Sequence, residues 1–176
     1  ESDETLEVPA PYLFLPAAPE RHKNMEVLIR CLPLLQNTET QAWIAGQSLL
    51  DFDHQHFLED MARSLGVAER VRFLGAVPYA ELPGYYRGAR ALVFPSFIET
   101  FGHPLVEAMA AGTPVLASDI PTFHEVAGDS ALYFPVNSPE GLAHQVQALE
   151  DDAAATRARV AEGKERARRF SWSRSV

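Results

Sequence analysis

Two carboxylates, Glu99 and Glu107, stand eight positions apart around a Gly102-His103-Pro104 turn. Gly102 lets the backbone pass close to a ligand, and Pro104 suits the first turn of a helix because its missing N–H would be unpaired there. The N–H groups of His103, Leu105 and Val106 then lie at a helix start, where orphan donors and the helix dipole attract phosphate. Glu107 sits one turn in. Helical side chains lean toward the N-terminus, so its carboxylate reaches back to the same mouth. A carboxylate beside phosphate is costly unless it accepts hydrogen bonds from hydroxyls. The 2′,3′-diol of a ribose offers two donors in a fork, and Glu99 on the loop suits those of a sugar ring. The pattern points to a phosphorylated, hydroxyl-rich ligand. Taken alone, the pair reads more simply as a solvated loop acid and a helix-surface acid favoured by the dipole; the surrounding residues reverse that balance.

Other reactive side chains carry less. Asp51-Phe52-Asp53, with His54 and His56 close behind, has the spacing of a metal-binding acid pair. Oxygen and imidazole ligands make that chemically possible, but an aspartate preceding a helical run serves as an N-cap, and that is the expectation here. Cys31, the sole cysteine, lies among Leu28, Ile29, Leu32 and Leu35 and reads as a buried structural thiol, which excludes a disulfide framework. The arginines between Arg157 and Arg169 read as a solvated face or one that docks on a partner domain.

The elements that must position these residues follow from hydrophobic pattern. Strands are expected at Tyr12–Leu15, Thr40–Ala45, Val71–Leu74 (ending at Gly75), Ala91–Phe94, Val115–Ala117 and Ala131–Phe134. Helices are expected at Lys23–Gln36, Asp53–Leu65 with Gly66 as its cap, Tyr79–Tyr86, Pro104–Ala111, Pro121–Ala127, Pro139–Leu149 and Ala153–Phe170. Strands of near-continuous hydrophobicity alternating with helices predict an α/β fold: a doubly wound, Rossmann-like parallel sheet of about six strands covered on both faces. Ligands of such folds bind beyond the carboxyl ends of the strands, and every loop of interest follows a strand.

Bulk properties bound the rest. The 176 residues make one domain of ordinary size, and 47% hydrophobic with 22% charged residues is a normal globular mix. A formal charge of −9 argues against a general nucleic-acid or anionic-membrane surface. No apolar run approaches the ~20 residues of a membrane span, and no signal peptide is visible. A reducing, cytoplasmic setting fits. The start at Glu1 and the acidic, patternless stretch to Val8 suggest a flexible tail over residues 1–9, within a longer protein.

The run Phe97-Ile98-Glu99-Thr100-Phe101-Gly102-His103-Pro104-Leu105-Val106-Glu107-Ala108-Met109-Ala110-Ala111-Gly112-Thr113-Pro114-Val115, with its E-x7-E spacing, resembles family 4 of the retaining glycosyltransferases. The likeness continues in Val71–Val77, in Glu81-Leu82-Pro83-Gly84-Tyr85-Tyr86, in Ala89–Ser96, in Ala117–Pro121, in Glu125–Asp129 and in Phe170-Ser171-Trp172. It implies the C-terminal, donor-binding half of a two-domain GT-B enzyme. That domain spans residues 10–170, with an acceptor domain before Glu1 and the start of a return segment at 171–176. The ligand would be a nucleoside diphosphate sugar, with no metal and no pyridoxal phosphate, and with membrane contact at the inner face only through the missing domain.

The resemblance also assigns roles. Glu99 would hold donor-sugar hydroxyls, with Phe101, Gly102 and His103 beside the sugar and diphosphate. Pro104, Leu105 and Val106 would line the diphosphate, Glu107 would bind the ribose diol, and Lys23 would neutralise the diphosphate. Gly75 and Val77 would border the nucleobase. One departure stands out: the family has Gly-Arg after the first strand, and here Pro16-Ala17 takes that place. Arg21, on the same loop, is a candidate to reach the site in its stead. No protein nucleophile or general base is implied. A non-catalytic binding or assembly module, which Pro16-Ala17 favours, remains the alternative; a GT-B epimerase or phosphorylase is a third.

Overall fold

The computed structural model describes residues 11–47 and 52–170. The expected acidic tail, the return segment and Asp51 lie outside these residues. Among the described residues six strands form one sheet: β1 (Tyr12–Leu15), β2 (Gln41–Ala45), β3 (Val71–Gly75), β4 (Ala91–Phe94), β5 (Val115–Ser118) and β6 (Ala131–Phe134). Among the described residues the helices are α1 (Met25–Cys31), α2 (Phe52–Ser64), α3 (Leu82–Gly88), α4 (His103–Ala111), α5 (Pro121–Ala127), α6 (Pro139–Asp151) and α7 (Ala153–Ala167). All pairings are parallel, in the order β3-β2-β1-β4-β5-β6. This is the doubly wound sheet expected from the pattern.

The chain winds outward from β1 to β3, crosses back, and winds the other way from β4 to β6. The strand order therefore reverses between β1 and β4, and ligands of open α/β sheets bind outside the strand ends at such a point. Period-two alternation makes the two faces. On β1, Leu13 and Leu15 join the layer beneath α1, α2 and α6, with Leu28, Ile29, Leu58 and Val146. Tyr12 and Phe14 join the opposite layer with Tyr86, Leu105, Ala108 and Phe123. Strands β1, β4 and β5 are buried throughout, as a sheet covered on both sides requires.

Three helix expectations are corrected. The single helix from Lys23 to Gln36 is broken at both ends. Arg21–Lys23 is a 3-10 turn, Asn24 follows in the left-handed region (φ 52°), and α1 begins only at Met25. It gives way to a second 3-10 turn at Leu32–Leu34, where Pro33 has no N–H to continue the helix. Helix α3 starts at Leu82 rather than Tyr79, with Pro83 in its first turn, and runs on to Gly88. Helix α7 ends at Ala167, and Arg168–Phe170 tightens into a 3-10 turn. Gly66 does cap α2 from the left-handed region (φ 69°).

Cys31 is fully buried, and burial pushes its thiol up to about 12, the nearby Arg70 opposing only in part. His54 is fully buried, stacked on Phe57 and 3.7 Å from the Glu26 carboxylate, whereas Asp53 and His56 are exposed. Asp53, His54 and His56 thus face different ways, and Asp53 is corrected from a cap to a residue in the first turn of α2, which begins at Phe52. Among the described residues, no three His, Cys, Asp or Glu side chains gather as metal ligands, and no helix is long and apolar enough to cross a membrane.

Candidate functional site

The loops after β1 and β4 meet at the reversal of strand order, and Asn24 joins them. Its amide donates to the carbonyls of Pro95 at 3.0 Å and Val136 at 2.8 Å, tying the end of the first loop to the exits of β4 and β6. A left-handed backbone is tolerated by asparagine, and here it turns the side chain inward, where it is only 3% exposed. The N–H of Phe97 donates to the His22 carbonyl at 2.9 Å and completes the stitch. Lys23, held between these bonds, places its ammonium 2.5 Å from Glu99 Oε1 and 5.5 Å from the centre of the Phe94 ring. Both side chains are largely enclosed, at 18% and 14% exposure. Ser96 donates to the same carboxylate oxygen at 2.9 Å, and Thr122 to the Glu99 carbonyl at 3.2 Å. Glu99 is therefore no solvated loop acid.

Eight residues on, Glu107 meets a different partner. The Tyr86 hydroxyl, from α3, donates to Glu107 Oε2 at 2.6 Å. Tyr86 is 2% exposed; its ring packs edge-on against Phe14 of β1, and Thr113 donates to its carbonyl at 2.7 Å. Burial, and then the hydrogen bond and charge of Glu107, hold the phenol far above the ordinary tyrosine range. It stays a donor at any working pH.

Two cavities open at Glu107. One, about 320 Å³, is walled by Leu82, Pro83, Tyr86, Ala110 and Tyr79. The other, about 350 Å³, is walled by Phe101, His103, Val106, Arg169, Phe170 and again Tyr79. The first is mainly apolar, with the Glu107 carboxylate and Arg87 as its charged groups; the second pairs the same carboxylate with Arg169 and with the rings of Phe101, His103 and Phe170. Each has the volume to admit a flat ring system.

The loop between the two carboxylates is shaped by Gly102, at φ 92°. A Cβ there would come within 3.1 Å of Phe123 and 3.3 Å of Leu105, so both backbone angle and space call for glycine. Of the expected N-terminal donors of α4, Leu105 is corrected: its N–H already donates to the Gly102 carbonyl at 3.0 Å, and its side chain is fully buried. It braces the loop from below instead of facing a ligand. Pro104 is the second helical residue, with His103 the first. His103 is exposed and lies against Phe101, ring centres 4.9 Å apart. Val106 faces the second cavity.

Arg21 is exposed in its 3-10 turn, on the loop that also carries Lys23. Gly75, at φ 66°, ends β3 and accepts the Gly46 N–H at 2.8 Å. Val77 packs into the apolar layer under α3 and α4. Neither Gly75 nor Val77 lines the two cavities at Glu107; Tyr79, two residues further along the same loop, lines both. Pro16-Ala17 curls over Gly46 so closely that a Cβ there would overlap the Ala17 backbone.

Sequence reasoning missed Asn24, Tyr79 and Tyr86. For Asn24 the signal was an asparagine just before an apolar helical run; for Tyr86, no local signal existed. It also missed Arg166, which donates to the carbonyls of Val126 at 2.6 Å and Glu125 at 2.7 Å. That arginine closes the C-terminal end of α5 within the domain.

Residues 3–167 match the family model of the glycosyl transferases group 1. The O-antigen chain mannosyltransferase B of Escherichia coli is 43% identical over 103 residues, covering 58% of this chain and 27% of that protein. A sucrose-phosphate synthase of Thermosynechococcus elongatus superposes with a TM-score of 0.83 at 27% identity, covering 95% of this chain and 43% of that one. The Anabaena protein HepE, solved in complex with UDP and glucose, superposes with a TM-score of 0.82 at 21% identity, covering 90% and 44%; at that identity the likeness concerns the fold. The chain spans well under half the length of the curated relatives it matches, from 27% to 42% in two of them.

Proposed function

From the premise that this chain belongs to the glycosyl transferases group 1, we propose that it is the donor-binding domain of a retaining, metal-independent glycosyltransferase. The whole protein would carry a hexose from a nucleoside diphosphate sugar to a saccharide, lipid or other acceptor, in polysaccharide or glycoconjugate synthesis. A preceding domain would hold the acceptor. The observation that carries the reading is the meeting of Lys23 and Glu99 at the reversal of strand order, with Glu107 one turn into the helix that follows the same loop.

Each group then has chemical work. Lys23 and the His103 amide at the start of α4 neutralise the diphosphate, which stabilises it as a leaving group. Glu99 accepts hydrogen bonds from the sugar hydroxyls and fixes the ring above the loop. Glu107 accepts from the ribose diol, and the cavities beside it leave room for the base, with Tyr79 at their shared wall. The domain alone binds donor and transfers poorly, because positioning of the acceptor needs the second domain. A non-catalytic binding module is the second reading, favoured by Pro16-Ala17 lying against Gly46 where an arginine would otherwise clamp phosphate.

Calorimetry of the chain with UDP, GDP and ADP tests the site. Binding of at least one nucleotide is expected, weakened about tenfold or more by Glu107→Ala, as loss of a hydrogen bond to a charged group implies. Absence of binding by all three at millimolar concentration would overturn the proposal. Transfer by the full-length protein separates enzyme from binding module.

A further inference from the structure

Resting on the ribose assignment of Glu107, we propose that Tyr86 is its positioning residue: it pins one carboxylate oxygen and so sets the domain's preference for a nucleotide with an intact 2′,3′-diol. A glutamate has three side-chain torsions, and a free one at a cavity wall samples many of them; ordering it on binding opposes affinity. Glu107 is instead held before any ligand arrives. The Tyr86 hydroxyl donates to Oε2 at 2.6 Å.

The tyrosine is itself immobile. Thr113 holds its backbone at 2.7 Å, Phe14 lies edge-on to its ring at 5.3 Å, and it is 2% exposed. A rigid chain therefore runs from the central strand β1, through α3, to the carboxylate on α4.

The polarity of the contact matters as much as its rigidity. A lysine or arginine in this place would neutralise Glu107 and compete with an incoming donor, as Lys23 does at Glu99. Tyr86 is neutral and offers one proton. Oε1 and the remaining lone pair of Oε2 stay available as acceptors, on a carboxylate whose partner brings no opposing charge. A fork of two hydroxyls needs that. A single hydroxyl, or a deoxyribose, would use half of it.

The test titrates the chain and Tyr86→Phe with UDP and with its 2′,3′-dideoxy analogue, or with the matching pair for whichever base binds. The unaltered chain is expected to prefer the diol about tenfold, and Tyr86→Phe to reduce that preference to about threefold or less while the dideoxy nucleotide binds as before. A role in packing alone would weaken both nucleotides equally and leave the ratio intact, which would overturn the inference. Thr113→Val keeps both partners and loosens only the Tyr86 backbone. It is expected to lower the ratio by a smaller factor, and it serves if Tyr86→Phe does not fold. If the unaltered chain binds both nucleotides equally, the ribose assignment fails and the inference falls with it; if only the ratio in the variants is unchanged, the assignment stands and Tyr86 is excluded.

Discussion

Glu99 and Glu107 are identical in chemistry and close in sequence, yet the fold treats them in opposite ways. Glu99 lies against an ammonium, with a serine hydroxyl on the same oxygen. Glu107 accepts from the hydroxyl of a neutral phenol. The first is neutralised by a group that the proposed ligand would also claim, so a diphosphate must draw Lys23 from Glu99 before either acts on donor. The second has a neutral partner and waits in place. One carboxylate is in competition and the other is pre-organised, and the difference comes from the partner alone.

The largest effect expected of breaking this contrast is at Lys23. Lys23→Ala should lower affinity for UDP by about thirtyfold, the scale of a lost charged hydrogen bond, while affinity for uridine stays unchanged. Equal losses for both would show that Lys23 holds the loop and does not meet phosphate. Calorimetry with the two ligands decides it.

Next in size is the alkaline behaviour of Tyr86. Its folded pKa lies above the unfolded value near 10. Its contribution to stability is thus complete below about pH 10 and is lost as the pH climbs toward the folded value. Urea unfolding should show the unaltered chain losing about 1 kcal/mol more than Tyr86→Phe between about pH 10 and about pH 11. Parallel pH curves would mean the phenol ionises in the fold, and the asymmetry between the two acids would weaken.

The smallest expected effect has the most telling sign. Glu99→Gln removes the charge that competes for Lys23, so free UDP should bind about threefold more tightly, in the range of a partly enclosed ion pair. A UDP-sugar should gain less, because the same change weakens its hydroxyl contacts. A loss of UDP affinity would show the pair to be cooperative with phosphate instead of opposed to it.

Much of this was legible in residue order. The parallel sheet follows from runs such as Leu92-Val93-Phe94 and Leu13-Phe14-Leu15, which are too uniformly apolar for a strand with a wet face. Gly102 followed by Pro104 announced the helix start, and Glu107 at one turn announced its direction. Other features were not legible. The break of the helix at Asn24 depends on two carbonyls, at Pro95 and Val136, that lie 71 and 112 residues away. Arg166 looked like a surface cation until the end of α5, 40 residues earlier, was found beneath it. Leu105 looked like an open donor, but its amide is occupied by the turn that Gly102 makes.

By itself the sequence determined the alternation of strands and helices, the glycine-shaped loop at the mouth, and the acids on either side of its glycine, one on the loop and one in the helix that follows, since these rest on local sterics, periodicity and spacing. Only the tertiary structure decided what each acid touches. A side-chain partner 76 residues away for Glu99, and 21 for Glu107, is chosen by which strand ends meet and which helices pack together. That choice is made by burial of the whole core, and no local run of residues encodes it.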